Sequence, residues 1–185
     1  MRNRILPALL ATAILGTSVF GSEQQDTKQS IKQGDSAVTL GMRYASMQTD
    51  GEDSQYGHFD ASYSYFVTDG LELGLGLGYL LSSGQYRDTA VTVSPYVAYN
   101  FVHNSETIVP YIAMGASYSK WKSRSNTHSN QTGTEAYETD GTAFNAELGL
   151  KVFVTQDVAI VPALYTISYS DFTNSGLKVG VQFFF

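Results

Sequence analysis

The residues best suited to chemistry are three histidines, a glycine run and six charges set inside apolar stretches. His58, His103 and His128 are scattered along a chain that holds no cysteine. A resident zinc ion takes three or four closely spaced ligands, so no metal site is expected. A catalytic histidine needs a nucleophile within hydrogen-bonding reach and an acid to orient it. No histidine here has both nearby in sequence, so neither a catalytic residue nor a cofactor is expected. LELGLGLGY (71–79) places glycine at 74, 76 and 78. A dinucleotide fingerprint would open a helix whose N-terminus faces the pyrophosphate. Here Tyr79 follows the last glycine and an every-second-residue pattern runs straight through.

The six charges are Arg43, Asp60, Glu72, Glu147, Lys151 and Lys178, three of each sign. All fall on the side opposite the apolar residues of their segments. Buried singly, each would be very costly. Two functions fit such a set: an ion path, or a neutral salt-bridged plug. The plug is favoured, because eight strands enclose a space barely wide enough for their own side chains. Arg43 and Asp60 lie equidistant from the first loop, so a symmetric hairpin sets them side by side. Lys178 comes near Arg43 if the last strand closes on the first, and Glu147 and Lys151 share one face of their strand.

Those charges require strands to position them, and from Ala37 onward the apolar signal repeats at the strand period. One face of each segment reads Val38-Leu40-Met42-Tyr44, Phe59-Ala61-Tyr63-Tyr65-Val67, Leu71 to Tyr79 by twos, and Val91-Val93-Pro95-Val97-Tyr99. Then come Pro110-Ile112-Met114-Ala116-Tyr118, Phe144 to Val154 by twos, and Leu177-Val179-Val181-Phe183-Phe185. The seventh, VAIVPALYTIS, is apolar on both faces, and its facing stays open. Short connections (Thr68-Asp69-Gly70, HNSE, Thr155-Gln156-Asp157) alternate with the longer QTDGEDSQ, SSGQYRD, KSRSNTHSNQTGTEAYETD and SYSDFTN. The expected fold is all-β: an eight-stranded antiparallel up-and-down transmembrane β-barrel.

A soluble, lipocalin-like barrel with its apolar face inside is the competing architecture. Two features separate them. The polar face is mostly Gly, Ala, Ser and Thr, whereas a soluble surface carries roughly a quarter to a third charged residues. Aromatic residues also sort to both ends of the apolar face. Tyr65, Tyr99, Phe101, Phe183 and Phe185 gather near the tight turns; Tyr44, Phe59, Tyr79 and Tyr118 gather near the loops. Two aromatic girdles around aliphatic residues mark the interfaces of a bilayer. In that frame the three glycines face the lumen and make room for neighbours such as Arg43, Phe66, Tyr96 or Lys178.

MRNRILPALLATAILGTSVFG (1–21) has the basic, apolar and small-residue segments of a secretory signal peptide. Its apolar run falls short of the roughly 20 residues of a membrane helix. Removing Arg2 and Arg4 lowers the basic count from 11 to 9 against 17 acidic residues, moving the net charge from −6 to −8. Such an acidic chain does not suit nucleic acid. Residues 22–36 read as a flexible periplasmic tail, and 37–185 as the barrel domain. Both termini are expected in the periplasm and the longer loops outside the cell.

The closing strand, SGLKVGVQFFF, resembles the C-terminal strand of bacterial outer-membrane barrels, and the chain as a whole is similar to the OmpX/Ail group and the membrane domain of OmpA-like proteins. The resemblance implies that Leu177, Val179, Val181, Phe183 and Phe185 form the signal read by the barrel-assembly machinery. It implies outer-membrane lipid and lipopolysaccharide as surroundings, and a monomer. His128-Ser129-Asn130 resembles the His-x-Ser-Asn element of lipid A deacylases, but its spacing departs and it sits in a polar loop, so lipid A modification is a remote alternative. The expected role is structural, envelope-integrity or surface-interacting, with adhesion through the long third loop and small-solute passage as alternatives.

Overall fold

Alternation gives each segment one apolar and one small or polar face, and a lone strand leaves its backbone donors and acceptors unpaired along both edges. Closing the sheet pairs them all. The computed structural model describes residues 31–49, 52–83, 86–102, 107–125, 136–170 and 173–185. Eight strands follow in chain order: β1 (Ser36–Thr49), β2 (Glu52–Phe66), β3 (Leu71–Ser83), β4 (Tyr86–Asn100), β5 (Ile108–Ser125), β6 (Ala136–Phe153), β7 (Val158–Ser168) and β8 (Thr173–Phe184). Each pairs antiparallel with its neighbours, and β8 returns to β1, closing the barrel.

The apolar faces point outward. Leu75, Leu148 and Leu177 are 51%, 57% and 63% exposed, and comparable residues line the outside of every strand. A belt of that extent far exceeds the few hundred Å² of apolar patch that soluble monomers expose; it is a surface for lipid. The girdle residues Phe59, Tyr65, Tyr79, Tyr99, Phe101 and Tyr118 all project outward, and the side chain of Tyr44 lies outside the described residues. On β7, Ala159, Val161, Ala163 and Tyr165 are buried and Leu164 is exposed, so its small residues and one tyrosine face the lumen.

At the turn end, two turns are built alike. Val67 N donates to Leu71 O and Val154 N to Val158 O, both at 2.9 Å. In each, the opening threonine hydroxyl accepts from the backbone inside the turn: Thr68 Oγ1 from Leu71 N at 3.0 Å, Thr155 Oγ1 from Asp157 N at 3.3 Å. The HNSE turn (103–106) lies outside the described residues.

Two expectations are corrected here. The lead-in is not a flexible tail throughout: Ile31 is 3% exposed among the buried residues of the turn end, and Gly34 N, in a turn with φ +96°, donates to Phe66 O. Burial of one large apolar side chain and backbone bonds to β2 hold residues 31–36; residues 1–30 lie outside the described set. Second, segments expected as loops are largely paired strand. β1–β2 pairing continues to Thr49 opposite Glu52, β4–β5 to Tyr86 opposite Ser125, and β5–β6 to Arg124 opposite Ala136. Ladder bonds continue where lipid contact ends, so polar composition marks the limit of the apolar belt rather than that of the strand. Within the third loop, 126–135 lies outside the described residues.

Candidate functional site

The inward faces meet in a narrow lumen, and the charges there form two layers. Nearer the turn end, Glu72 on β3 is the hub. Lys151 Nζ on β6 donates to its Oε2 at 2.6 Å, with both side chains 3% exposed. Asn100 Nδ2 donates to the same oxygen at 3.2 Å; Gln182 Nε2 and Tyr96 OH donate to Oε1, each at 3.3 Å. The ammonium lies 5.0 Å from the ring centre of Phe66, 5.4 Å from Tyr111 and 5.7 Å from Phe184, within cation–π range. Below it, Phe184 meets Phe66 at 6.0 Å and Phe153 at 5.1 Å between ring centres, and Ile31 is buried in the same apolar cluster. Packed rings and one buried ion pair fill the turn end of the lumen.

The layer toward the loop end is shared among more partners. Arg43 Nε donates to Asp60 Oδ1 at 3.1 Å, and its Nη2 to His58 Nδ1 at 2.9 Å. The guanidinium also stacks 5.2 Å from the Tyr165 ring centre. Lys178 Nζ donates to Glu147 Oε2 at 3.1 Å and lies 3.8 Å from Asp60 Oδ2. Tyr111 OH donates to Glu147 Oε1. These four ionic side chains are 15–20% exposed. A cavity of about 120 Å³ separates the layers, touching both Glu72 and Arg43. A second, of about 80 Å³, opens above it toward Trp121 and Tyr169, whose rings meet edge-on at 6.3 Å.

The charge partners differ from the sequence expectation in one respect. Arg43 stands opposite His58 in the register and Gly41 opposite Asp60, so the Arg43–Asp60 contact is diagonal; the register is two residues off the symmetry assumed. Glu147 and Lys151 share an inward face but not a bond. Each reaches across the lumen instead, to Lys178 and Glu72 respectively. Lys178 does stand opposite Arg43, and both turn toward carboxylates.

The glycines of β3 are not equivalent. A Cβ on Gly74 would collide with the Tyr96 ring, and one on Gly78 would come within 2.7 Å of His58 Nε2. On Gly76 the nearest atom would be Ser94 O at an ordinary 3.5 Å. Tyr96, one of the four expected neighbours, lies against this run, and His58 is a second ring it accommodates.

Phe66, Phe153 and Phe184, which floor the lumen, are not among the expected site residues. A signal was available: each breaks the alternation by adding an apolar residue between outward-facing ones, at the turn end of its strand. Among the described residues, no group of three or more His, Asp or Glu side chains is placed to hold a metal ion. His103 and His128 lie outside the described residues.

In sequence, residues 11–185 match the profile of the outer membrane protein beta-barrel domain. No curated protein matches the chain. Three solved structures resemble it. The N-terminal β-barrel domain of OprF from Pseudomonas aeruginosa is 20% identical, with a TM-score of 0.58 over 83% of this chain and 98% of that one. Neisserial surface protein A is 12% identical, TM-score 0.64, covering 82% and 99%. Ail, the attachment invasion locus protein of Yersinia pestis, is 16% identical, TM-score 0.58, covering 83% and 99%. At these identities the likeness is one of fold, and function rests on the site.

Proposed function

Because the chain belongs to the outer membrane protein beta-barrel domain family, we propose that it is a closed, non-conducting barrel that serves the envelope structurally and presents its loop end as a surface. The observation that carries this reading is the floor of the lumen, where Phe66, Phe153, Phe184 and Ile31 pack beneath the Glu72–Lys151 pair. Water and ions crossing there would have to displace three rings and separate a buried ion pair. The lumen charges balance, three against three, which suits a plug better than a selective path. In this reading residues 1–21 are removed on export, the turns and both ends of 37–185 face the periplasm, and the loops face outward. Leu177, Val179, Val181, Phe183 and Phe185, all exposed on the outer face of β8 or just after it, are the strand signal handed to the barrel-assembly machinery. The barrel works as a monomer and without enzymatic activity.

Planar-bilayer recording tests the closed lumen. The purified protein should show no steady conductance, whereas the Phe66→Ala/Phe184→Ala double variant should pass small, flickering currents. Steady, sizeable conductance from the unaltered protein would refute the plug. A second reading, adhesion, draws on the height of the β5–β6 hairpin: each strand has 18 residues against 11 in β7. Deleting residues 123–138 should then abolish binding to cells or matrix; unchanged binding would remove that reading.

A further inference from the structure

Arg43, His58, Leu80, Ala90 and Trp121 are register partners in succession from β1 to β5. Strand tilt carries that inward-facing row toward the loop end, from Arg43 in the charged layer to Trp121 at the mouth. Asn145, Ile167 and Asn174 are likewise successive partners across β6, β7 and β8. Both rows line the upper cavity of about 80 Å³.

The lining of that space changes character along its height. Lower in the lumen, inward positions are mostly small, hydroxyl-bearing or charged. At the mouth Leu80, Trp121, Ile167 and Tyr169 are half-buried, an apolar collar that faces neither lipid nor the aromatic floor. Ala90, only 2% exposed between Leu80 and Trp121 in the row, adds little bulk of its own. The mouth of a β-barrel is a common place for a pocket of this composition, with apolar walls and a few polar groups. One water needs about 10–15 Å³ of such space, so about six heavy atoms, a single ring, fit within the collar.

The polar groups beneath the collar are donors. Arg43 commits Nε to Asp60 and Nη2 to His58; among the described residues, nothing accepts from its Nη1. Asn145 Oδ1 accepts from Ser117 Oγ at 3.2 Å, which leaves its amide nitrogen to donate. Arg43 and Asn145 line both the upper cavity and the larger one below, so a head group placed between the two meets them. The charges at this level already balance, with Arg43 and Lys178 against Asp60 and Glu147. A neutral acceptor therefore suits the site, and a carboxylate would bring unbalanced charge close to Asp60.

We propose that the mouth of the barrel binds a small, neutral aromatic compound that carries a carbonyl oxygen, an aromatic primary amide being the simplest example. The ring lies within the collar of Leu80, Trp121, Ile167 and Tyr169, and the carbonyl accepts from Arg43 Nη1 and the Asn145 amide. The ligand enters and leaves on the loop side. The proposal rests on the reading of the loop end as a presented surface, and deepens it by naming the site and the chemistry of its ligand.

Trp121 is the single tryptophan of the chain, so its emission reports from the wall of the site. The test titrates benzamide into the full-length barrel in zwitterionic phospholipid vesicles and follows that emission. A saturable change at millimolar benzamide is expected. Acetamide, which lacks the ring, and benzoate, which adds charge, should each bind about tenfold more weakly, the scale of one lost favourable contact. Ala90→Leu, which fills the space, and Arg43→Lys, which keeps the charge but removes Nη1, should each weaken benzamide by a similar factor. Both variants are checked for folding by heat-modifiable mobility; if either fails to fold, the comparison of the three compounds on the unaltered barrel still decides. A change that rises linearly without saturating would mean partition into lipid and would overturn the proposal. So would equal affinity for benzamide and benzoate, or full affinity in folded Ala90→Leu. Because no current is measured, an open lumen would leave this result unaffected, and failure here would leave the plug standing.

Discussion

The two charge layers of the lumen use the same kinds of side chain and solve opposite problems. Toward the turn end, Lys151 and Glu72 are almost completely hidden and depend on each other, with neutral amides and rings filling the rest of the shell. Toward the loop end, Asp60 and Glu147 each have more than one donor, and water reaches the group in part. A buried ion pair gains little over well-packed neutral groups, yet losing one partner is severe. A shared network tolerates loss because the remaining donors take up the charge. The floor is therefore brittle and specific, and the upper layer is adaptable. That contrast fits the closed lumen proposed above.

The sharpest way to break the contrast is Lys151→Met. It leaves Glu72 ionised among rings and amides with no cation, and destabilisation of about 3–5 kcal/mol is expected for an orphaned buried charge. Urea unfolding in phospholipid vesicles, followed by Trp121 fluorescence, reads it out. Adding Glu72→Gln should recover at least half of that loss, since the amide oxygen still accepts from Asn100 or Gln182. No recovery would mean that Lys151 acts by packing against Phe66 and Phe184 rather than by charge.

A smaller effect separates the two layers along β3. Gly74→Ala forces the Tyr96 ring away from Glu72, and overpacking of this kind costs about 1–3 kcal/mol. Gly76→Ala, one pleat along, meets nothing nearer than ordinary contact and should leave stability unchanged or slightly raised, because glycine is a weak strand residue. Equal loss at both positions in the same unfolding measurement would show that the whole run responds to β-propensity rather than to the rings beside it.

What was legible in the sequence follows from what a strand repeats. Leu71 to Tyr79 and Leu177 to Phe185 declare their outward face at every second residue, and that is enough for strand count, order and facing. Strand ends were not legible, because Gln48, Ser83 and Lys122 look like loop residues while their backbone remains paired. The partners inside the lumen were least legible of all. Glu72 and Lys151 are 79 residues apart and meet only because of how far each strand is staggered against the next. That stagger accumulates around the barrel, and a two-residue offset in β1–β2 already sets His58 rather than Asp60 directly opposite Arg43. VAIVPALYTIS hid its facing for a different reason: its lumen side is apolar, matching the aromatic floor and the Tyr165 ring beneath Arg43.

The least disruptive change, and the closest test of adaptability, is Lys178→Ala in the upper layer. Asp60 keeps Arg43 at 3.1 Å, and Glu147 keeps the Tyr111 hydroxyl, so each carboxylate retains a strong donor. The vacated space adjoins the existing cavity, where water can replace the ammonium. Loss of about 1 kcal/mol is expected, the scale of a single net hydrogen bond, and the bilayer recordings should stay silent because the floor is untouched. If Lys178→Ala destabilised the barrel as much as Lys151→Met, the upper network would be as interdependent as the lower pair. The distinction between a brittle floor and an adaptable mouth would then fail.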